Sequence, residues 1–277
     1  MSLVEMKCKN CGANLSMDGK SGNYKCPFCG AEYSLQAETF KNYETNNINI
    51  ANANIVMPAI KDFDIVAGKL VKYQGESVDV IIPDNVNIIG EQSFAGLDGL
   101  KSVKIPDSVE WIDPYAFYNC TGLEEIEFSN NLKQTGIFAF QDCISLEHIT
   151  LPQNVRCISQ GSFCGCTGLI SVNLPNSLEE IEESAFYGCS SLCGITLPDS
   201  LNYIHNQAFA YCSGLKTITI PRKCWGIGND AFLGCNYGEK MIIHAPSYLV
   251  QRGEFWDRRN LDESVFTAYK KHKVKKY

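Results

Sequence analysis

The sequence predicts a repeat solenoid of stacked parallel strands, with short turns or helical segments between them, preceded by a small four-cysteine module. Three observations predict it. Cys120, Cys143, Cys166, Cys189, Cys212 and Cys235 recur every 23 residues. Phe94, Phe117, Phe140, Phe163, Phe186, Phe209 and Phe232 keep the same interval, as do Val80, Val103, Ile126, Ile149, Val172, Ile195, Ile218 and Met241. A fixed interval of this length is the mark of units that bury their apolar faces only against their neighbours. Four further cysteines fall before residue 30 and stand apart from that interval.

Those four come first. Lys7-Cys8-Lys9-Asn10-Cys11-Gly12-Ala13 is nearly copied in Lys25-Cys26-Pro27-Phe28-Cys29-Gly30-Ala31, giving C-x2-C-x14-C-x2-C. Four thiolates close a tetrahedral shell, and a gap of two residues lets both sulfurs of one turn reach a single ion. Gly12 and Gly30 allow the turn to curl and aim backbone N–H groups at the sulfurs. Between the pairs, Ser16 to Gly22 is rich in turn residues and is expected to be a β-hairpin loop. The pattern resembles a zinc ribbon, with Cys8, Cys11, Cys26 and Cys29 as ligands of structural zinc. Iron in a rubredoxin-like site and a CxxC redox pair are the competing readings. A module of residues 1–35 cannot build an adequate core alone, so metal binding would supply most of its folding energy.

Residues 36–57 are rich in Asn and poor in bulky apolar side chains, which predicts a partly extended linker. The solenoid is assigned to 58–246. It opens with a hairpin-like cap around Ala67-Gly68 that covers the edge of the first coil. Residues 247–277 are expected to be a C-terminal helical cap with a basic tail. From Asn260 onward Leu261, Val265, Phe266 and Tyr269 form one helical face, and lysines gather at its end.

Residues 146–168 show what each position does. Leu146, Ile149 and Leu151 alternate with His148 and Thr150 as a short strand, and Pro152 ends it. Val155 and Ile158 form a second apolar element, Gly161-Ser162-Phe163 turns the chain, and Cys166 and Leu169 close the coil. Proline recurs at 83, 106, 152, 175, 198 and 221, with Ser129 the exception. The motif, seen as AFYNCTGLEEIEF from Ala116 and AFYGCSSLCGITLP from Ala185, resembles the BspA-type leucine-rich repeat over residues 80–246. That resemblance implies a curved right-handed solenoid and a role in protein or surface recognition, often in exported bacterial proteins. Ser129, Tyr237 and Gly238 depart from the pattern. The recurring cysteines read as core packing, because the first coil holds Leu97 in their place and stacked Cβ atoms ~4.8 Å apart suit no disulfide.

Charge narrows the partners. Residues 36–246 hold twelve basic and twenty-four acidic residues, an acidic balance that repels nucleic acid. The four histidines have no recurring neighbours that would orient a triad, and no phosphate loop or hydrolase motif appears, so an enzyme is not expected. No apolar run reaches the ~18 residues of a membrane span, and the first residues carry no apolar signal core, which makes the cytoplasm the expected compartment. The expected function is a bacterial, non-enzymatic protein-interaction scaffold. The alternatives are an exported surface-recognition protein and a nucleic-acid-associated regulator acting through the ribbon. The outward strand positions are the expected contact surface, with Glu125, Glu127, His148, Thr150, Asn173, Thr196 and Thr219 on it. Trp111 and Tyr203, sharing one register on the second element, are candidate hot spots.

Overall fold

The computed structural model describes residues 62–235, 241–246 and 249, together with the backbone of the strands Val4–Lys7, Asn14–Met17, Gly22–Lys25, Glu32–Leu35, Ile48–Asn49 and Phe266–Ala268. Two compact units emerge: residues 1–63 with 74–77, and residues 64–73 with 78–277.

In the first unit β1 (Val4–Lys7) pairs antiparallel with β2 (Asn14–Met17), and β3 (Gly22–Lys25) pairs antiparallel with β4 (Glu32–Leu35). A short β5 (Ile48–Asn49) joins β1 in parallel. The hairpins therefore close over residues 8–13 and 26–31, the intervals that contain the CxxC pairs. This corrects the expected hairpin loop at Ser16 to Gly22. Ser16 and Gly22 belong to strands of two different sheets, β2 pairing with β1 and β3 with β4. Cys8, Cys11, Cys26 and Cys29 lie outside the described residues, as does most of the 36–57 linker.

The second unit, from Asp64, opens within β6 (Phe63–Val66) and continues in β7 (Lys69–Tyr73). Ala67 and Gly68 join them with φ of 51° and 79°, the two positive values of a tight hairpin turn. Then each coil contributes a strand to each of two parallel stacks. The first stack holds β8 (Asp79–Ile81), and the second holds β9 (Ile88–Ile89). The next coils bring β10 (Ser102–Lys104) with β11 (Trp111–Ile112), then β12 (Glu125–Glu127) with a bridge at Gln134. β13 (His148–Thr150) precedes β14 (Cys157–Ile158), and β15 (Ser171–Asn173) precedes β16 (Glu180–Ile181). The last pairs are β17 (Gly194–Ile195) with β18 (Tyr203–Ile204), and β19 (Thr217–Thr219) with β20 (Gly226–Ile227). β21 (Ile242–Ala245) and β22 (Phe266–Ala268) end the first stack.

Register follows the sequence interval for most of the length: Val103 pairs with Val80 and with Ile126. It slips once. Ile218 pairs with Ile243, not with Met241, so the last coil is two residues longer and the interval does not hold to its end. Residues 236–240 are outside the described residues.

The aromatic spine is the centre of the core. From Phe94 to Phe232 successive rings stack with centroids 4.8 to 5.5 Å apart and planes within 12° of parallel. Tyr73 of the cap continues the stack onto Phe94 at 5.2 Å. Offset stacking of rings adds ~0.5–1.5 kcal/mol per pair to the area they bury.

The third side of each coil is a hydrogen-bonded turn column, not the helical segments the sequence suggested. Gln92, Tyr115, Phe138, Gly161, Ser184, Gln207 and Asp230 all sit at φ of 53–59°. Four residues later Gly96, Asn119, Asp142, Gly165, Gly188, Tyr211 and Gly234 sit at 56–76°. Two left-handed residues in five break any α-helix, and each non-glycine there costs ~1–2 kcal/mol. Coil-to-coil bonds offset that cost: the Phe117 N–H donates to the Ala139 carbonyl and the Phe140 N–H to the Ser162 carbonyl, each at 2.8 Å. At the far end, where Asn260 to Tyr277 suggested a helix, Phe266–Ala268 is instead a strand paired with β21. The open edge of the last coil offers backbone partners that an isolated helix would not satisfy.

Candidate protein-interaction surface

The exposed positions of the first stack carry side chains that bond along the coils, each to the equivalent residue 23 positions away. Ser102 Oγ donates to Asp79 Oδ1 at 2.6 Å, and Lys104 Nζ contacts Glu127 Oε1 at 2.7 Å. His148 Nδ1 and Ser171 Oγ are 2.9 Å apart, and Asn173 Nδ2 donates to Thr150 Oγ1 at 3.0 Å. Beside these run Lys101–Glu124 at 2.5 Å and, next to the second stack, Lys133–Glu110 at 2.5 Å and Arg156–Glu179 at 3.2 Å. Each pair is well exposed and contributes only ~0.2–1 kcal/mol, so the rungs set the pattern of charge more than the stability.

All seven predicted strand-face residues are exposed. The structure does not make them one continuous ladder. His148 contacts Ser171, and no ladder joins β12 to β13. Two substitutions coincide with that break. Phe128 stands where neighbouring coils have Ile105 and Leu151, and it packs edge-on against Phe140 at 5.6 Å. Thr135 stands in a column otherwise of isoleucine (Ile89, Ile112, Ile158, Ile181) and is fully buried. Its hydroxyl finds Ser162 Oγ at 2.8 Å, while Ser159 Oγ donates to the Thr135 carbonyl, so the polar insertion is satisfied.

The first stack opens a second time, between β17 and β19. Thr196 and Thr219 line a groove of about 660 Å³ there, with Ile195, Leu197, Thr217, Ile218 and Pro221 among the residues around it.

Trp111 and Tyr203 lie on the second stack, four coils apart. Trp111 is 42% exposed, and Lys133 Nζ sits 5.5 Å from its ring centroid. Tyr203 is half-buried between His205, at 4.5 Å, and Trp225, at 4.8 Å, and His205 Nε2 lies 3.0 Å from Glu180 Oε2. The Tyr203 ring covers Gly226, where a Cβ would come within 2.1 Å of it. Trp225, 56% exposed, is the residue sequence reasoning missed. Its column runs Asn87, Glu110, Lys133, Arg156, Glu179 and Asn202, and a lone indole among polar groups was the available signal.

The ten solenoid cysteines are free thiols. Six form a column in which each Sγ donates to the carbonyl of the spine phenylalanine one coil earlier, from Cys120 to Phe94 at 3.1 Å through Cys235 to Phe209 at 3.0 Å. Burial pushes Cys120 up to about 12 and raises Cys143, Cys166, Cys189 and Cys212, so these are thiols and not thiolates. Cys224 fills the column of Val86, Val109, Leu132, Val155, Leu178 and Leu201, and burial raises it to about 11. Among the described residues no helix is long and apolar enough to cross a membrane.

A parallel two-stack solenoid of about seven coils, with a turn column and an internal stack of phenylalanines, defines a leucine-rich-repeat class of protein. The family model of the BspA type leucine rich repeat region matches six copies over residues 72–160 and 133–262, which is well over half of the chain. The chain belongs to that family. It is similar to the leucine-rich repeat protein of T. pallidum, TpLRR, with 30% identity and a TM-score of 0.61 over 63% of this chain and 87% of that one. It is also similar to a leucine-rich repeat protein from Eubacterium ventriosum, with 28% identity and a TM-score of 0.57 over 62% of this chain. There the match spans 47%, about half, of the other protein's length. No curated protein matches the chain.

Proposed function

We propose that this chain is a non-enzymatic bacterial scaffold for protein interaction, acting in the cytoplasm, with its N-terminal module held by structural zinc. The supporting observation is the exposed array itself. Polar and charged side chains recur at one register on stacked coils, on a backbone stiffened by two ladders and a turn column, and such surfaces suit extended protein partners. Zinc fits the first unit because both antiparallel registers, Lys7↔Asn14 and Lys25↔Glu32, bring strand ends together on either side of a CxxC pair. Four thiolate donors from Cys8, Cys11, Cys26 and Cys29 would leave no open position for catalysis, so the metal would serve folding alone.

Immobilised full-length protein, compared with a variant reversing Glu125, Glu127 and Lys104, tests the scaffold reading. A partner retained by the first and lost by the second supports it; no retained protein at low salt removes it. For the metal, one equivalent of zinc by elemental analysis, lost in Cys26→Ser while the solenoid transition is unmoved, is the expected result. A metal-free protein with four reactive thiols in that module contradicts it. Fractionation of cells tests the compartment, and recovery outside the cytoplasm overturns it.

A further inference from the structure

One seam of the solenoid lacks both of its ladders. Between the coil of β12 and the coil of β13 the first stack stops. The second stack stops there as well, with Gln134 joined to β11 by a single bridge and β14 beginning a new sheet. The seam between β17 and β19 loses only the first stack, since β16, β18 and β20 run on beside it. In complete seams the Glu124 N–H donates to the Lys101 carbonyl at 2.8 Å, the Ile105 N–H to the Glu127 carbonyl at 2.9 Å and the Lys133 N–H to the Glu110 carbonyl at 3.0 Å. Among the described residues no backbone-to-backbone hydrogen bond joins 124–136 to 147–159.

The charge pattern changes at the same place. Before the seam Lys101 pairs with Glu124, Lys104 with Glu127 and Lys133 with Glu110; after it Arg156 pairs with Glu179. Each pair closes on its own side. Across the seam the equivalent positions are Glu124 and Glu147 beside the first stack and Lys133 and Arg156 beside the second, and like charges at facing positions repel. His148 and Thr150, equivalent to Glu125 and Glu127, bond onward to Ser171 and Asn173.

Side chains cross the seam on the second-stack side. Gln134 Nε2 donates to Ser159 Oγ at 2.8 Å, the Ser159 N–H to Thr135 Oγ1 at 3.3 Å, and Asn154 Nδ2 to the Asn130 carbonyl at 2.9 Å. Water can take over each of these bonds when the strands part. Parting is therefore less costly here than between coils that place isoleucine at the position of Thr135. The turn side stays joined. The Phe138 N–H donates to the Gln160 carbonyl at 2.9 Å and the Asp142 N–H to the Cys164 carbonyl at 2.8 Å, while Phe140 stacks on Phe163 at 5.3 Å. One joined side and two without ladders make a hinge.

We infer that the solenoid opens at this seam, the coils up to residue 136 and those from 147 rocking as two blocks about the turn column. In a stack whose stability sums over neighbouring interfaces, the interface with the fewest bonds opens first. The hinge belongs to the solenoid alone and stands whatever the strand face binds. It sets Glu125 and Glu127 on one block and His148 and Thr150 on the other.

Native-state hydrogen exchange on the full chain, resolved to single amides, tests the hinge. The Ser159 N–H reports on it, and the Lys133 and Glu179 N–H groups, each bonded inside a block, are the references. Ser159 is expected to be protected at least about tenfold less than either reference, as opening short of global unfolding predicts. Raising salt from about 10 mM to about 1 M screens the repulsion across the seam and the attractions within the blocks. Ser159 should then gain about threefold in protection, the size of one exposed charge pair, while the references gain nothing. Glu147 is exposed, so its replacement leaves the core intact. Glu147→Gln should raise Ser159 protection at low salt, and Glu147→Lys, facing Glu124, should raise it further, to about threefold. Because Glu147 lies beside the first stack and Ser159 in the second, this gain also shows the two sides opening together. Unchanged reference protection shows that each variant is folded. Ser159 protected as well as the references, protection that falls as salt rises, or protection indifferent to both variants overturns the hinge.

Discussion

Cys166 Sγ donates to the carbonyl of Phe140 at 3.1 Å, across 26 residues of sequence and one coil of structure. The same carbonyl accepts the Cys143 N–H at 3.2 Å, so it serves two donors. The relation explains where cysteine appears. A coil carries it when the coil before supplies a spine phenylalanine, and the first such coil, with no spine phenylalanine behind it, carries Leu97. Among small side chains only cysteine combines apolar bulk with a weak donor.

Replacing Cys166 with Ala should cost ~1–2 kcal/mol, the loss of sulfur packing and one weak bond. The Phe140 carbonyl keeps its backbone donor, so no buried acceptor is orphaned. Cys166→Leu should cost more, since that slot is fully buried while Leu97 is not. Urea titration of the three proteins checks the order, and a Leu variant as stable as wild type would refute the tight slot.

Alkaline pH should weaken the solenoid through its buried thiols. Burial raises Cys120 to about 12 and Cys224 to about 11 from the ordinary 9.0. Below 9.0 both folded and unfolded thiols are protonated and this contribution is fully present. As pH rises past 9.0 the unfolded chain ionises first, and stability falls until the folded values are passed, by ~1.4 kcal/mol per pH unit for each such thiol. Cys120→Ala should therefore flatten the decline measured by chemical denaturation between about pH 9 and 11. An unchanged slope would show that the thiol ionises freely in the fold.

Much of this was legible from spacing alone. The phenylalanine stack, the strand register and the opening hairpin follow from intervals that only a stacked coil satisfies. Other features turn on backbone geometry that the sequence pattern hides. Position 92 and its equivalents hold Gln, Tyr, Phe, Gly, Ser, Gln and Asp, and nothing in so mixed a set announces a left-handed residue. The strand at Phe266–Ala268 was masked by a helical apolar face, and edge pairing overrode it. Thr135 and Trp225 were readable as departures from their columns, but only once columns other than those of Phe and Cys were compared.

Gly226→Ala should disturb the aromatic group around Tyr203 more than the fold. A Cβ at 226 would meet Tyr203 Cε2 at 2.1 Å, so the ring has to move from its place beside Trp225. The expected loss is ~1–2 kcal/mol, with a change in Trp225 emission as its neighbour at 4.8 Å leaves. If emission stays as in wild type while stability drops, the backbone, not the ring, has absorbed the clash.

Phe163→Ala should destabilise the solenoid by ~3–5 kcal/mol, the cost of a cavity in a core that cannot collapse around it. Phe163 stacks on both sides, on Phe140 at 5.3 Å and Phe186 at 5.5 Å, and is fully buried. Phe232 is described with a single stacking partner, Phe209, and retains slight exposure. In a stack whose stability is a sum of nearest-neighbour terms, a central deletion removes two contacts and an end deletion one. Phe232→Ala should thus cost about half as much by the same stacking count. Thermal and urea unfolding of both variants decide it. Equal losses would mean that the rings contribute as independent buried groups, and the stack would then be a consequence of coil geometry rather than a source of its stability.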